Sequence, residues 1–139
     1  MANHATLSLL NVEAGLAFRA TAGSGPAIVL DSSRTPEGMS PVEALLCALG
    51  GCSAMDVIGI LRKQRQRVTA YDVIVTGERR VEHPRRFTRI DVLHRVRGHG
   101  VQAAALADAI RLSDTKYCSV HASLAPGVEI VSRSEILPA

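Results

Sequence analysis

Two cysteines far apart in the sequence are the residues best equipped for chemistry. Cys52 stands in the apolar run Leu49-Gly50-Gly51-Cys52-Ser53-Ala54-Met55-Asp56-Val57, and Cys118 in Lys116-Tyr117-Cys118-Ser119-Val120. One thiol inside a long apolar helix and a second between structural elements point to redox chemistry by a pair that folding brings together. A thiol reacts as its thiolate, and burial by itself raises its pKa and makes it inert. An active Cys52 therefore needs a cation beside it.

The residues that would supply or hold that cation are few. Asp56 follows Cys52 by one helical turn and shares its face. A carboxylate beside a thiol opposes the thiolate, so Asp56 reads as an anchor for an arginine rather than an activator. Glu43 has a structural role as half of a capping box and can also orient an arginine. Arg19, at the end of an early strand, and Arg34, in a polar loop, are the candidate arginines, and no spacing selects between them. Gly50 and Gly51 cost roughly 1–2 kcal/mol together in a helix interior, which implies close approach of a backbone or a small substrate. Cys47 projects from another face and reads as core filler.

The elements that must position these groups follow from patterning. Short strands are expected over Thr6–Val12, Leu16–Thr21 and Ala27–Leu30, then a polar loop from Asp31 to Met39. Ser40, Pro41 and Glu43 mark the start of the long helix, and the basic run Arg62 to Arg67 marks its end. Tyr71–Thr76 and Arg85–Arg97 read as strands of a hairpin turning at Glu82-His83-Pro84. On the second strand Thr88, Ile90, Val92, His94 and Val96 share a face. Gly98-His99-Gly100 precedes a second helix over Val101–Leu112. A short helical turn near Cys118 and a strand over Val128–Ile136 close the chain.

Composition narrows the function classes. A chain of 139 residues fits one domain, residues 1–139. Three cysteines are too few for a secreted disulfide framework, and Met1–Leu10 shows no export pattern, so a reducing cytoplasm is expected. The five histidines are scattered and none has zinc-site spacing with a cysteine, so no metal or cofactor is expected. His94 reads first as a core histidine, second as a ligand or base. A net charge of +3 and arginines without interleaved aromatics speak against nucleic acid. Val42–Leu61 approaches the length of a bilayer span, but Asp56 lies inside it, which argues against a membrane helix. A helix apolar all round needs cover on every side, and a chain with 3% aromatic residues leans towards an oligomer to supply it.

The motifs Ser40-Pro41-Val42-Glu43-Ala44-Leu45-Leu46, Ala48-Leu49-Gly50-Gly51-Cys52 and Tyr117-Cys118-Ser119-Val120 resemble the OsmC/Ohr family, the osmotically inducible and organic hydroperoxide resistance proteins. Gly-Gly-Cys-Ser-Ala-Met-Asp-Val and the strand from His83-Pro84 to His94 are similar to the OsmC-like branch rather than Ohr proper. The resemblance implies an α+β fold: curved antiparallel sheets around a long central apolar helix, in an intertwined homodimer whose subunits share each active site. It implies that Cys52 reduces an organic hydroperoxide, becomes a sulfenic acid and condenses with Cys118, and that an external dithiol restores both. The alternative within the family is a protein without peroxidase activity that binds a small apolar ligand or senses redox state. In the family's peroxidases a glutamate directly follows the helix-starting proline and holds an arginine over the thiolate. Here Val42 takes that place and the glutamate is Glu43; the family's arginine falls in the region of Arg19.

Overall fold

Three short strands open the computed structural model, which describes residues 1–139. The chain forms two compact units, Met1–Leu45 and Leu46–Ala139. In the first, β1 (Ala5–Leu9), β2 (Phe18–Ala22) and β3 (Ala27–Leu30) make an antiparallel meander. β1 stops short of the expected Val12. The Asn11 side chain accepts the Glu13 N–H at 3.0 Å, a local bond that competes with strand pairing. The polar loop after β3 is organised by Asp31, whose buried carboxylate accepts the N–H groups of Ser33 and Glu37 at 2.8 and 2.9 Å.

The long helix α1 (Pro41–Lys63) starts as the sequence predicts. The Ser40 N–H donates to Glu43 Oε1 at 2.9 Å, and the Glu43 N–H donates to Ser40 Oγ at 3.3 Å. This reciprocal capping box satisfies two donors that a helix start leaves open. The basic run does not all belong to the helix: only Arg62 and Lys63 lie in its last turn. Arg65 takes the left-handed conformation at φ 56°, with Arg65 N–H to Arg62 O at 3.0 Å and Gln66 N–H to Leu61 O at 2.9 Å. That pair of bonds is a Schellman cap, here without the usual glycine, so the basic run marks the region of the stop but not its residue.

In the second unit β4 (Arg67–Arg79), β5 (Phe87–His99) and β6 (Glu129–Pro138) form one sheet in that order. β4 and β5 are the expected antiparallel hairpin, each longer than or offset from its predicted range. β5 and β6 run parallel, so the sheet is mixed rather than purely antiparallel. The reason is the connection: α2 (Ala103–Leu112), a π-helical turn (Ser113–Tyr117) and α3 (Ser119–Leu124) form a crossover that returns the chain to the same end. Ile90, Val92, His94 and Val96 are buried on one face as predicted, but Thr88 is exposed. The register shifts there, so Phe87 instead of Thr88 turns inward and its ring lies over Gly77.

Val57 and Leu61 of α1, Val96 of β5 and Leu106, Ala109 and Ile110 of α2 make the core of this unit. Each large aliphatic side chain removed from water there stabilises the fold by about 1.5–3 kcal/mol. Gly50 has a packing reason, since a Cβ on it would meet Val75 Cγ2 at 2.8 Å. Gly51, by contrast, faces open space. The covered face of α1 is Leu49, Gly50, Ser53, Val57 and Leu61. Its other face is left bare: Met55 is 74% exposed, and Cys47, expected in the core, is exposed because no element of this unit covers that side. α1 is long and apolar enough to cross a bilayer by length and composition alone.

Candidate thiol site

Folding brings the two cysteines together. Cys52 Sγ, Cys118 Sγ and a carboxylate oxygen of Asp56 all lie within 4.8 Å of one another. Cys52 and Asp56 come from one face of α1, a turn apart, and Cys118 comes from the junction between the π-helical turn and α3. The crossover carries Cys118 to α1: its N–H bonds Ser113 O at 2.9 Å, and Ser113 Oγ donates to Asp56 Oδ2 at 2.9 Å. Ser113 and Ser53 are both buried, with their hydroxyls 3.4 Å apart. Sequence reasoning missed Ser53 and Ser113. Ser53 sits beside Cys52, but nothing local marks Ser113, whose partners are distant in the chain.

The burial of the two thiols is the reverse of the expectation. Cys118 is 3% exposed, whereas Cys52 is half-buried. Cys118 sits at the N-cap of α3, where its sulfur accepts the His121 N–H at 3.3 Å. Burial pushes its thiol up to about 11; the His121 N–H opposes this, and the neighbouring Cys52 adds to it. At neutral pH Cys118 is a protonated thiol.

Glu43 is committed to the cap of α1, and its two bonds with Ser40 hold its carboxyl below the usual value. Arg19 is exposed on β2, paired in register with Ser8 and Val29, and Arg34 is exposed in the loop after β3. Asp56 is engaged by Ser113. His94 is wholly buried on β5, with Nδ1 2.5 Å from the Tyr71 hydroxyl. Burial keeps the tyrosine proton in place far above neutrality and pushes the His94 pKa down, with a partial opposing effect from Asp114. Tyr71 is thus the donor, and the neutral imidazole carries its proton on Nε2, which has no partner. Asp114 bonds elsewhere, accepting from Ser132 Oγ at 2.6 Å and facing His121 Nδ1 at 3.5 Å. His94 lies outside the thiol cluster.

An open pocket of about 240 Å³ adjoins Asp56, walled by Met55, Gly59, Ile60, Lys63 and Tyr117. Its lining is mostly apolar with one cation at the rim, and it begins one helical turn from Cys52.

Comparison with known proteins places the chain. The family described as OsmC-like protein matches residues 34–133. Protein YhfA of Escherichia coli K12 is 43% identical over 125 residues, covering 90% of this chain and 93% of YhfA. The crystal structure of a hypothetical protein from Aquifex aeolicus superposes with a TM-score of 0.87 at 32% identity, covering 100% of this chain and 98% of that one. An organic hydroperoxide resistance protein from Elizabethkingia anophelis has the same fold at 10% identity, with a TM-score of 0.70 and 99% and 97% coverage. With both cysteine motifs, the capping box and the mixed α+β fold in place, the chain belongs to the OsmC-like protein family.

Proposed function

We propose that the protein is a thiol peroxidase for organic hydroperoxides, with Cys52 as the attacking residue and Cys118 as the resolving one. The observation that carries this is the convergence of the two sulfurs within 4.8 Å from elements remote in sequence. Their different surroundings support the order of events. Cys52 is reachable, whereas Cys118 is covered and holds its proton. The Cys52 thiolate attacks the O–O bond, the alkoxide leaves with a proton as an alcohol, and Cys52 becomes a sulfenic acid. Cys118 then attacks that sulfur and water departs, leaving a disulfide that an external dithiol reduces by two exchanges. The apolar pocket beside Asp56 suits the tail of an alkyl or acyl hydroperoxide.

A thiolate at Cys52 requires a cation, for which the family position favours Arg19 over Arg34, with Glu43 or Asp56 as its anchor. The bare face of α1 fits the pairing of two central helices in a homodimer, in which residues 1–139 act as one domain of a cytoplasmic protein. Neither nucleic acid nor membrane is part of this reading. Mass spectrometry of the thiols after one equivalent of cumene hydroperoxide tests it. A Cys52–Cys118 disulfide is expected; a reduced Cys52 beside an oxidised Cys118 or Cys47 overturns the assignment. A second reading is favoured by the charge at the pair: the side chain there is a carboxylate, and Glu43 is taken by the cap. A redox sensor would form the disulfide without sustained dithiol-dependent consumption of hydroperoxide, and a binder of a small apolar ligand would take it up with both thiols unchanged.

A further inference from the structure

Asp56 bonds Ser113, and an anion beside two thiols opposes the thiolate that peroxide chemistry needs at Cys52. A cation held among the three groups reverses that sign. The geometry points to Cys52, Asp56 and Cys118 as a binding site for Zn²⁺, a use of this cluster distinct from peroxide reduction. Two sulfurs and one carboxylate oxygen are a donor set suited to this borderline-soft ion. In a tetrahedral site with Zn–S of about 2.3 Å and Zn–O of about 2.1 Å, donor atoms stand about 3.5–3.8 Å apart. The three present donors lie within 4.8 Å, so closure takes about 1 Å of side-chain movement. Three protein ligands leave a fourth position for water.

The surroundings of the cluster fit the same reading. Ser113 Oγ donates to Asp56 Oδ2 at 2.9 Å, which orients the carboxylate and leaves Oδ1 free. Such an outer hydrogen bond is how metal-binding carboxylates are held. The His121 N–H already points at Cys118 Sγ, at 3.3 Å, where it would stabilise a coordinated thiolate. Half-burial of Cys52 and Asp56 leaves a way in for the ion. On binding, each coordinating thiol gives up its proton to solvent, so up to about two protons leave per Zn²⁺. Both sulfurs are then unavailable to a peroxide, and zinc holds the pair reduced.

The test uses the reduced full-length protein, freed of metal and titrated with Zn²⁺ by calorimetry and with Co²⁺ by absorption. It involves no peroxide, so it stands whether or not the peroxidase reading holds. One ion per chain is expected, with proton release and intense thiolate-to-cobalt charge-transfer bands. Cys52→Ser and Cys118→Ser should each weaken those bands and the double variant should abolish them, and Asp56→Asn, which keeps the size and the Ser113 contact, should weaken Zn²⁺ binding at least 10-fold. In the unmodified protein Zn²⁺ should protect Cys52 from alkylation, and a chelator should restore the reactivity. That measurement does not depend on any variant folding. Stoichiometric binding that survives in the C52S/C118S double variant would mean an adventitious ion only and overturn the site. Wild-type affinity in Asp56→Asn, or no protection of Cys52, would overturn it equally.

Discussion

Gly50→Ala separates the two things a helical glycine can be for. In a free helix the change is favourable by about 1 kcal/mol, because alanine has the better propensity. Here the new Cβ would stand 2.8 Å from Val75 Cγ2, whereas ordinary carbon contacts begin near 3.4 Å, and Val73 Cγ1 at 3.7 Å is undisturbed. α1 or the β4 side chain must therefore move by about 0.6 Å, and overpacking of this kind costs about 1–3 kcal/mol. The net expectation is a loss of about 1 kcal/mol. Val75→Ala removes the colliding methyl, so in that background Gly50→Ala should stabilise by about 1 kcal/mol. The coupling in the double-mutant cycle is then about 2 kcal/mol. Urea unfolding of the four proteins at one fixed protein concentration measures it, since an oligomer's stability depends on concentration. A coupling near zero, or a Gly50→Ala protein more stable than the original, would refute the packing argument for the glycine.

Other consequences follow from the cap and the titrating groups. Ser40→Ala should cost about 1 kcal/mol through the lost Glu43 N–H bond, seen as a lower urea midpoint, and Glu43→Gln should cost less. His94 is held neutral by burial, so the unfolded chain gains a proton near pH 6.5 before the folded one does. Stability contributed there is present above pH 6.5 and declines as pH falls below it; unfolding measured from pH 8 to 5 should show that decline, and His94→Gln should flatten it. The carboxylates Asp31, Glu43 and Asp91, all held below their usual values, add their own loss only in more acid solution, below about pH 4. With a neutral alkylating agent at pH 7, peptide mapping should find Cys52 modified well before Cys118; equal rates would contradict the covered, protonated state of Cys118.

Much of the fold was legible because its signals are local. The capping box of Ser40 and Glu43, the apolar length of α1 and the period-two face of β5 through Ile90, Val92, His94 and Val96 each lie within a few neighbouring residues. What was misread lacked its usual local marker or depended on partners remote in the chain. The helix stop at Arg65 used a left-handed residue other than glycine, so no glycine marked it. Thr88 lost its inward place to a register shift that local alternation does not encode. The direction of β6 followed from the crossover that precedes it, and strand patterning is the same in either direction.

For the site, the sequence by itself determined which residues could act: two thiols, and a carboxylate one turn from the first on the same helical face. It did so because helix geometry is a local rule. Only the tertiary structure decided that Cys118 meets Cys52 and Asp56, that Ser113 holds the carboxylate, and that Cys118 rather than Cys52 is the covered thiol. Those facts rest on the crossover packing against α1, and contacts between segments so far apart are set by the shape of the assembled core, not by the order of residues along either segment.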